Sequence, residues 1–149
     1  MHVERTGSLL LPAGRARVFP LFTAEGERAW VPGWQPQYLH PDHPSNEEGT
    51  VFRTDHGGEE TLWIVIRHAP DEGLATYGRF TPGSRLGTVH VACVETSPSE
   101  TRVTVTYRMT ALSAGGADVL RGMTPDAYRA MLDQWQSLIL PTLAGPAPE

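Results

Sequence analysis

From residue 51 onward the chain is punctuated by turn residues at short intervals, and those intervals dictate how its strands can pair. Gly57-Gly58 has the composition of a two-residue hairpin turn and sets Phe52 opposite Trp63. Ala69 to Glu72 supplies the next turn and sets Trp63 opposite Gly78. Pro82-Gly83-Ser84 then sets Phe80 opposite Leu86 and Thr76 opposite His90. Ser97 to Glu100 closes the series, with His90 opposite Tyr107 and Glu95 opposite Arg102. Side chains alternate faces along a strand. One face therefore gathers Phe52, Thr54, Trp63, Val65, Leu74, Thr76, Gly78, Phe80, Leu86, Thr88, His90, Ala92, Val94, Val103, Val105, Tyr107 and Met109. The other gathers Arg53, Asp55, Glu60, Arg79, Arg85, Glu95, Arg102 and Arg108 among aliphatics. Turns read independently agree on one apolar face, so an antiparallel meander packed on one side is expected. A one-residue slip in any hairpin would invert the strands beyond it.

Such a sheet needs a cover, and the C-terminal segment supplies one. Thr124 is an N-cap, Pro125 suits the first helical position and Asp126 favours the positive end of the helix dipole. Tyr128, Met131, Leu132, Trp135, Leu138 and Ile139 then recur on one face, with Pro141 as the expected end. Ala117 to Met123 reads as a helical lead-in broken near Gly122. Between Pro12 and Trp30, Pro20 divides the apolar run, so two short helices are expected there, the second capped by Thr23 with Glu25 and Glu27 in its first turn. The N-terminal strand buries either Leu9 and Leu11 or Leu10. A strongly curved sheet is not filled by one helix, which implies an internal cavity. Residues 1–143 read as one domain and 144–149 as a disordered tail.

Composition narrows the function classes. With 149 residues, 40% hydrophobic and 19% charged, the chain is of globular type. The net charge of −5 argues against a nucleic-acid partner. No apolar run is long enough for membrane insertion, and the N-terminus lacks a signal-type stretch, so a cytoplasmic protein is expected. Cys93 is the single cysteine, which excludes an intrachain disulfide and reads as a small hydrophobe rather than a nucleophile. All twelve basic residues are Arg, so Schiff-base chemistry through lysine is excluded.

Trp30-Val31-Pro32-Gly33-Trp34, Gly49-Thr50-Val51-Phe52, Thr61-Leu62-Trp63, Thr81-Pro82-Gly83-Ser84-Arg85, Val103-Thr104-Val105-Thr106-Tyr107 and Thr110-Ala111-Leu112 resemble the START-like (SRPBCC, Bet v 1-like) superfamily, in particular its polyketide cyclase/dehydrase and lipid-transport branch. The resemblance runs from about Ser8 to Leu140. It implies an α+β helix-grip fold of order β-α-α-β-β-β-β-β-β-α: a curved antiparallel sheet wrapped around a long C-terminal helix, with two short N-terminal helices and an internal cavity. The remaining strand would lie near Trp34 to Leu39. The resemblance transfers no catalytic residue, because the branch shares no single catalytic motif.

The register sets His90 inside, between Thr76 and Tyr107. A buried imidazole beside a phenol could bind a carbonyl or act with Tyr107 as acid/base; equally, it could be a core histidine bonded to Tyr107 or a threonine. Trp30, Trp34, Tyr38, Phe52, Trp63 and Trp135 could line a pocket, with Trp30 and Trp34 at its mouth because Pro32-Gly33 makes them loop residues. Thr76, Met109, Tyr128 and Met131 complete the candidate ligand-binding set. His40, Asp42 and His43, and Asp55, His56, Glu59 and Glu60, have metal-ligand chemistry, but nothing in their spacing brings them together, so no metal and no cofactor is expected. Arg79 and Arg85 could meet an acidic ligand at the rim, yet the register points both outward. Three functions follow: a carrier of a small apolar or aromatic molecule, a polyketide cyclase/aromatase-like enzyme acting on a carbonyl compound, or an interaction or stress-associated module with an incidental cavity. In the last case Leu62, Ile64, Ile66, Val89 and Val91 on the outer face could pair two copies into a homodimer.

Overall fold

The structure is a computed structural model describing residues 1–145. The last residues of the expected tail, 146–149, lie outside the described residues. Seven strands form one antiparallel sheet: β1 (His2–Leu11), β2 (Gln37–His40), β3 (Val51–His56), β4 (Glu59–Ala69), β5 (Leu74–Thr81), β6 (Arg85–Ser97) and β7 (Glu100–Ala111). Their spatial order is β1-β7-β6-β5-β4-β3-β2, so the five strands from β3 to β7 are a pure meander and β1 closes onto β7. Between β1 and β2 run helix α1 (Arg15–Val18) and two 3₁₀ turns, Phe19–Phe22 and Gly26–Ala29. Helices α2 (Ala114–Arg121) and α3 (Pro125–Leu143) follow the sheet. The helix-grip expectation is thus met, with β2 as the strand that the hairpin turns left unplaced.

Local chemistry explains the element ends. The Thr124 hydroxyl accepts from the Ala127 N–H at 3.1 Å and Ser113 caps α2 by accepting from Gly116 at 3.0 Å. Thr23 accepts from the Gly26 N–H at 3.1 Å, at the start of the second 3₁₀ turn. Helix α3 runs past Pro141 to Leu143 instead of ending there. Proline removes one helical hydrogen bond near the terminus, and burial of Leu143 against the core offsets that loss.

Helix α3 crosses the concave face and guards the sheet edge. At Gly7 a Cβ would lie 2.6 Å from Leu132 Cδ1, so any larger residue here would require the Leu132 side chain to shift. Arg129 donates to the Ser8 carbonyl at 2.8 Å and Gln136 to the Leu10 carbonyl at 2.7 Å, which covers acceptors on edge strand β1. Leu9 and Leu11 are buried and Leu10 is exposed, which decides the register of β1.

Two hairpins differ from the expected register, each through a β-bulge. Phe52 faces Trp63 as expected, and Phe80 faces Leu86 with Thr76 facing His90. In the β4–β5 pair, however, Trp63 faces Arg79 and Gly78 faces Ile64. The turn there is centred on Pro70 to Gly73, and that displacement alone would preserve the faces; the register shift between Val65 and Arg67 flips them. In the β6–β7 pair the Ser97–Glu100 turn is where it was expected, but a second shift between Glu95 and Ser97 puts Val89, not His90, opposite Tyr107. Glu95 accordingly faces Thr101 and not Arg102. The two flips cancel at β7, whose Val103, Val105, Tyr107 and Met109 face inward as expected. Strands β5 and β6 are inverted: Ala75, Tyr77, Val89, Val91 and Cys93 are buried, while Thr76 and His90 sit on the convex face. Of the aliphatics expected outside, Ile64 and Ile66 are exposed, Leu62 is half-buried, and Val89 and Val91 belong to the core.

Candidate functional site

The corrected register arranges the concave face as rows running across the strands. The first rows are aliphatic: Leu9, Val103 and Cys93, then Gly7, Val105, Val91 and Ala75. Next come Arg5, Tyr107, Val89, Tyr77 and Val65. Then follow Val3, Met109, Gly87, Arg79, Trp63 and Phe52. The last row holds Arg85, Thr81, Thr61 and Thr54, with the Thr61 and Thr81 hydroxyls 2.8 Å apart. Polarity therefore rises along the strands toward one end of the sheet.

At that end the sheet and α3 enclose a cavity of about 370 Å³. Trp30, Trp34, Trp63, Tyr107, Met131 and Trp135 form its apolar walls. A smaller hollow of about 30 Å³ lies deeper, where Phe22, Phe52, Tyr77 and Val89 meet the same walls. A second opening of about 330 Å³ between the sheet and the start of α3 is bordered by Met109, Met123, Tyr128 and Met131. Arg79 and Tyr107 border both large openings.

The tryptophans are held by their N–H groups, which leaves their rings for the cavity. Trp30 donates to the Leu21 carbonyl and Trp34 to the Ala24 carbonyl, both at 2.7 Å, and Trp63 donates to the Thr54 hydroxyl at 3.0 Å. Trp30 meets Trp135 edge-on at 5.5 Å, Trp34 meets Trp63 at 5.8 Å, and Phe52 stacks on Trp63 at 5.9 Å. The short turns between β1 and β2 thus work as a scaffold that carries two indoles over the sheet.

Three polar groups converge among these rings. The Arg79 guanidinium lies over the Trp63 ring, 4.9 Å from its centroid, as its cross-strand neighbour. Burial pulls its pKa down, and among the described residues its Nε has no hydrogen-bond partner. Glu27, in the second 3₁₀ turn, lines both the main cavity and the deeper hollow; burial pushes its carboxyl up to about 8, against the opposing pull of Arg79. Burial also raises the Tyr107 phenol, and the adjacent Arg79 works against that rise. Arg85 differs from Arg79: it is paired with Glu59 through two contacts of 2.8 and 3.2 Å.

Of the residues that the sequence suggested, the cavity brings together Trp30, Trp34, Trp63, Tyr107, Met131 and Trp135, with Phe52 just beneath. Met109 and Tyr128 stand at the second opening, where the Tyr128 hydroxyl is committed to the Val105 carbonyl. Tyr38 stays outside the lining; its hydroxyl donates to Glu25 at 2.7 Å. His90 and Thr76 bond each other at 2.7 Å on the convex face, away from the cavity, because the β4 and β6 bulges turn them outward. The pairing of His90 with Tyr107 as an acid/base couple is corrected accordingly. Arg79 and Arg85, expected outward, point inward for the same reason. Among the described residues no three metal-ligand side chains cluster, and Asp55, His56 and Glu59 stand at the cavity rim. Cys93 is buried and its thiol is pushed up to about 12 by that burial, so it packs as a hydrophobe. Glu27 is the group that sequence reasoning left in a helix turn; its only signal was a carboxylate three residues before Trp30.

No protein-family model and no curated protein matches the chain. Solved structures do. Norcoclaurine synthase from Thalictrum flavum, in complex with dopamine and hydroxybenzaldehyde, superposes with a TM-score of 0.69 at 12% identity, over 99% of this chain and 90% of that one. A hypothetical protein from Helicobacter pylori gives a TM-score of 0.73 at 11% identity, over 94% and 87% of the two chains. The di-domain ARO/CYC BexL of the BE-7585A biosynthetic pathway gives 0.68 at 14% identity, covering 92% of this chain and 46% of that one. Among the described residues no helix is long and apolar enough to cross a membrane. These likenesses agree with the strand order and the grip of the sheet on α3: the chain has the same helix-grip fold as these proteins.

Proposed function

We propose that the protein binds a small, largely apolar or aromatic molecule in the cavity between its sheet and α3, as a carrier or sequestering protein. The supporting observation is the set of four indoles, Trp30, Trp34, Trp63 and Trp135, around about 370 Å³ of open volume. A volume of this size takes a bicyclic or tricyclic molecule, and rigid aromatic walls bind flat ligands with little loss of side-chain entropy. Native mass spectrometry followed by denaturing extraction tests the reading directly, with a retained apolar compound of defined mass as the expected result. Titration with 2-acetylnaphthalene, read by quenching of tryptophan fluorescence, is the second measurement; no saturable quenching up to the solubility limit overturns the proposal.

A second reading, an aromatase/cyclase-like enzyme, draws support from one feature. A carboxyl whose pKa is pushed up to about 8 lines the same cavity as a buried cation and a phenol, a pattern suited to moving a proton beside a carbonyl. The aromatase/cyclase neighbour lends it weight. The residue concerned is Glu27 and not His90. Deuterium uptake at the methyl group of bound 2-acetylnaphthalene in D₂O, lost in Glu27→Gln, would favour the enzyme; binding without uptake favours the carrier.

A further inference from the structure

The two arginines of the cavity differ in how their charge is balanced. The Arg85 side chain is largely buried and neutralised by Glu59 in a two-contact pair. Arg79 lines the same cavity and takes part in none of the ion pairs among the described residues. The carboxyl nearest in role to a counter-ion, Glu27, lines the same cavity but forms no ion pair with Arg79 among the described residues. The guanidinium is held over the Trp63 ring, 4.9 Å from its centroid, and the Tyr107 hydroxyl lies beside it. A buried, oriented cation without a protein counter-ion is costly to maintain unless an anion completes it.

We propose that Arg79 and Tyr107, with Glu27 facing them, form a subsite for the carboxylate of an aromatic or apolar acid. This rests on the cavity being a ligand site, and names the ligand's head group. The planar guanidinium offers a two-pronged grip on a carboxylate, the phenol donates a further hydrogen bond, and the indoles hold the ring system. Glu27 then acts as a gate. While protonated it adds no negative charge beside the ligand; once ionised it competes for Arg79 and repels the anion. The groups facing Glu27 are Tyr77 and Arg79 on β5 and Tyr107 on β7, while Arg85 on β6, Asp55 and His56 on β3 and Glu59 on β4 line the same cavity. From α3 only Met131 and Trp135 face it, and neither titrates.

The test compares 2-naphthoate with its uncharged counterpart 2-acetylnaphthalene by calorimetric titration at pH 7. The wild type is expected to prefer the acid by roughly tenfold or more. Arg79→Met is expected to abolish the preference while keeping affinity for the ketone. Arg79→Lys is expected to retain part of it, since charge survives without the planar grip. Between pH 7 and pH 9.5 the affinity for 2-naphthoate should fall by about fivefold or more in the wild type and stay level in Glu27→Gln. Equal or tighter binding of the ketone by the wild type overturns the subsite but leaves the ligand cavity standing, and this holds even if the Arg79 variants fail to fold. Failure of both compounds to bind overturns the cavity reading and the subsite with it.

Discussion

The two ends of the space beneath the sheet are built on the same strands and the same helix, yet one is full and the other hollow. At the full end Leu9, Leu11, Val103, Cys93 and Ala75 are almost without exposure and interlock under Ile139 and Leu143 as members of one core. Flexible or small aliphatics can repack until voids close. At the other end four indoles, a guanidinium and a carboxyl occupy comparable positions. Large rings, three of them tethered by their N–H bonds, cannot collapse onto one another, and the polar groups resist complete desiccation. The hollow therefore follows from the side chains that line it and not from a gap in the backbone, and the fold's stability and its binding capacity are assigned to separate rows of the sheet.

The contrast is tested most forcefully by two residues one helical turn apart. Ile139 is fully buried. Ile139→Ala should cost about 3 kcal/mol of unfolding free energy by denaturant titration, through lost transfer energy and a cavity that cannot close. Ligand affinity of the folded variant should be unchanged. Glu27→Gln should act in the opposite direction. The folded-state pKa of Glu27 is raised to about 8 from a reference value of 4.5, so the folded protein holds a proton that the unfolded chain has released. Stability is then fully present below about pH 4.5 and falls as pH rises toward 8. The variant should remove that decline and stand about 2 kcal/mol above the wild type at pH 9. A wild-type stability that stays level over this interval would show that the carboxyl is not desolvated. Trp135→Ala comes third. It removes ring contacts with Trp30 at 5.5 Å and with Phe22 and Tyr107 at 6.4 Å, but borders volume that is already open. A loss of about 1–2 kcal/mol is expected, below that of Ile139→Ala although the side chain is larger. Ligand affinity should drop at the same time, which the Ile139 variant does not show.

Much of this division is written in the sequence. Turn residues at Gly57-Gly58, Pro82-Gly83-Ser84 and Ser97 to Glu100 place three of the hairpins, and the spacing from Tyr128 to Ile139 gives the face of α3. The loop tryptophans Trp30 and Trp34 were legible as cavity residues because aromatics beside Pro32-Gly33 need a reason to be there. Bulges were not legible. Each adds one residue to one strand, leaves the turn composition unchanged and inverts everything up to the next bulge. Both alternating sets on β5 and β6 are apolar enough to pass as the inner one, though the run Val89, Val91, Cys93 is the better core set than Thr88, His90, Ala92. Arg79 was hidden by the same inversion. Glu27 was hidden by distance: nothing local in a short turn reveals that its carboxyl shares a cavity with a guanidinium fifty-two residues later in the chain.

The smallest expected effect bears on that inversion. His90 is half-buried on the convex face, where its ring bonds the Thr76 hydroxyl at 2.7 Å. Partial burial, and then the nearby Arg108 and Arg67, lower its pKa below the usual 6.5. In the folded protein the ring thus resists protonation that the unfolded chain accepts, so stability is lost as pH falls below about 6.5. His90→Ala should remove this acid-side loss and cost about 0.5–1 kcal/mol at pH 8, where only the hydrogen bond to Thr76 is forfeited. Binding of 2-naphthoate and of 2-acetylnaphthalene should be that of the wild type. A His90→Ala protein that folds but binds neither compound would place the imidazole inside the cavity and would mean that β6 presents the opposite face, in which case Arg79 could not be the cation that meets the ligand.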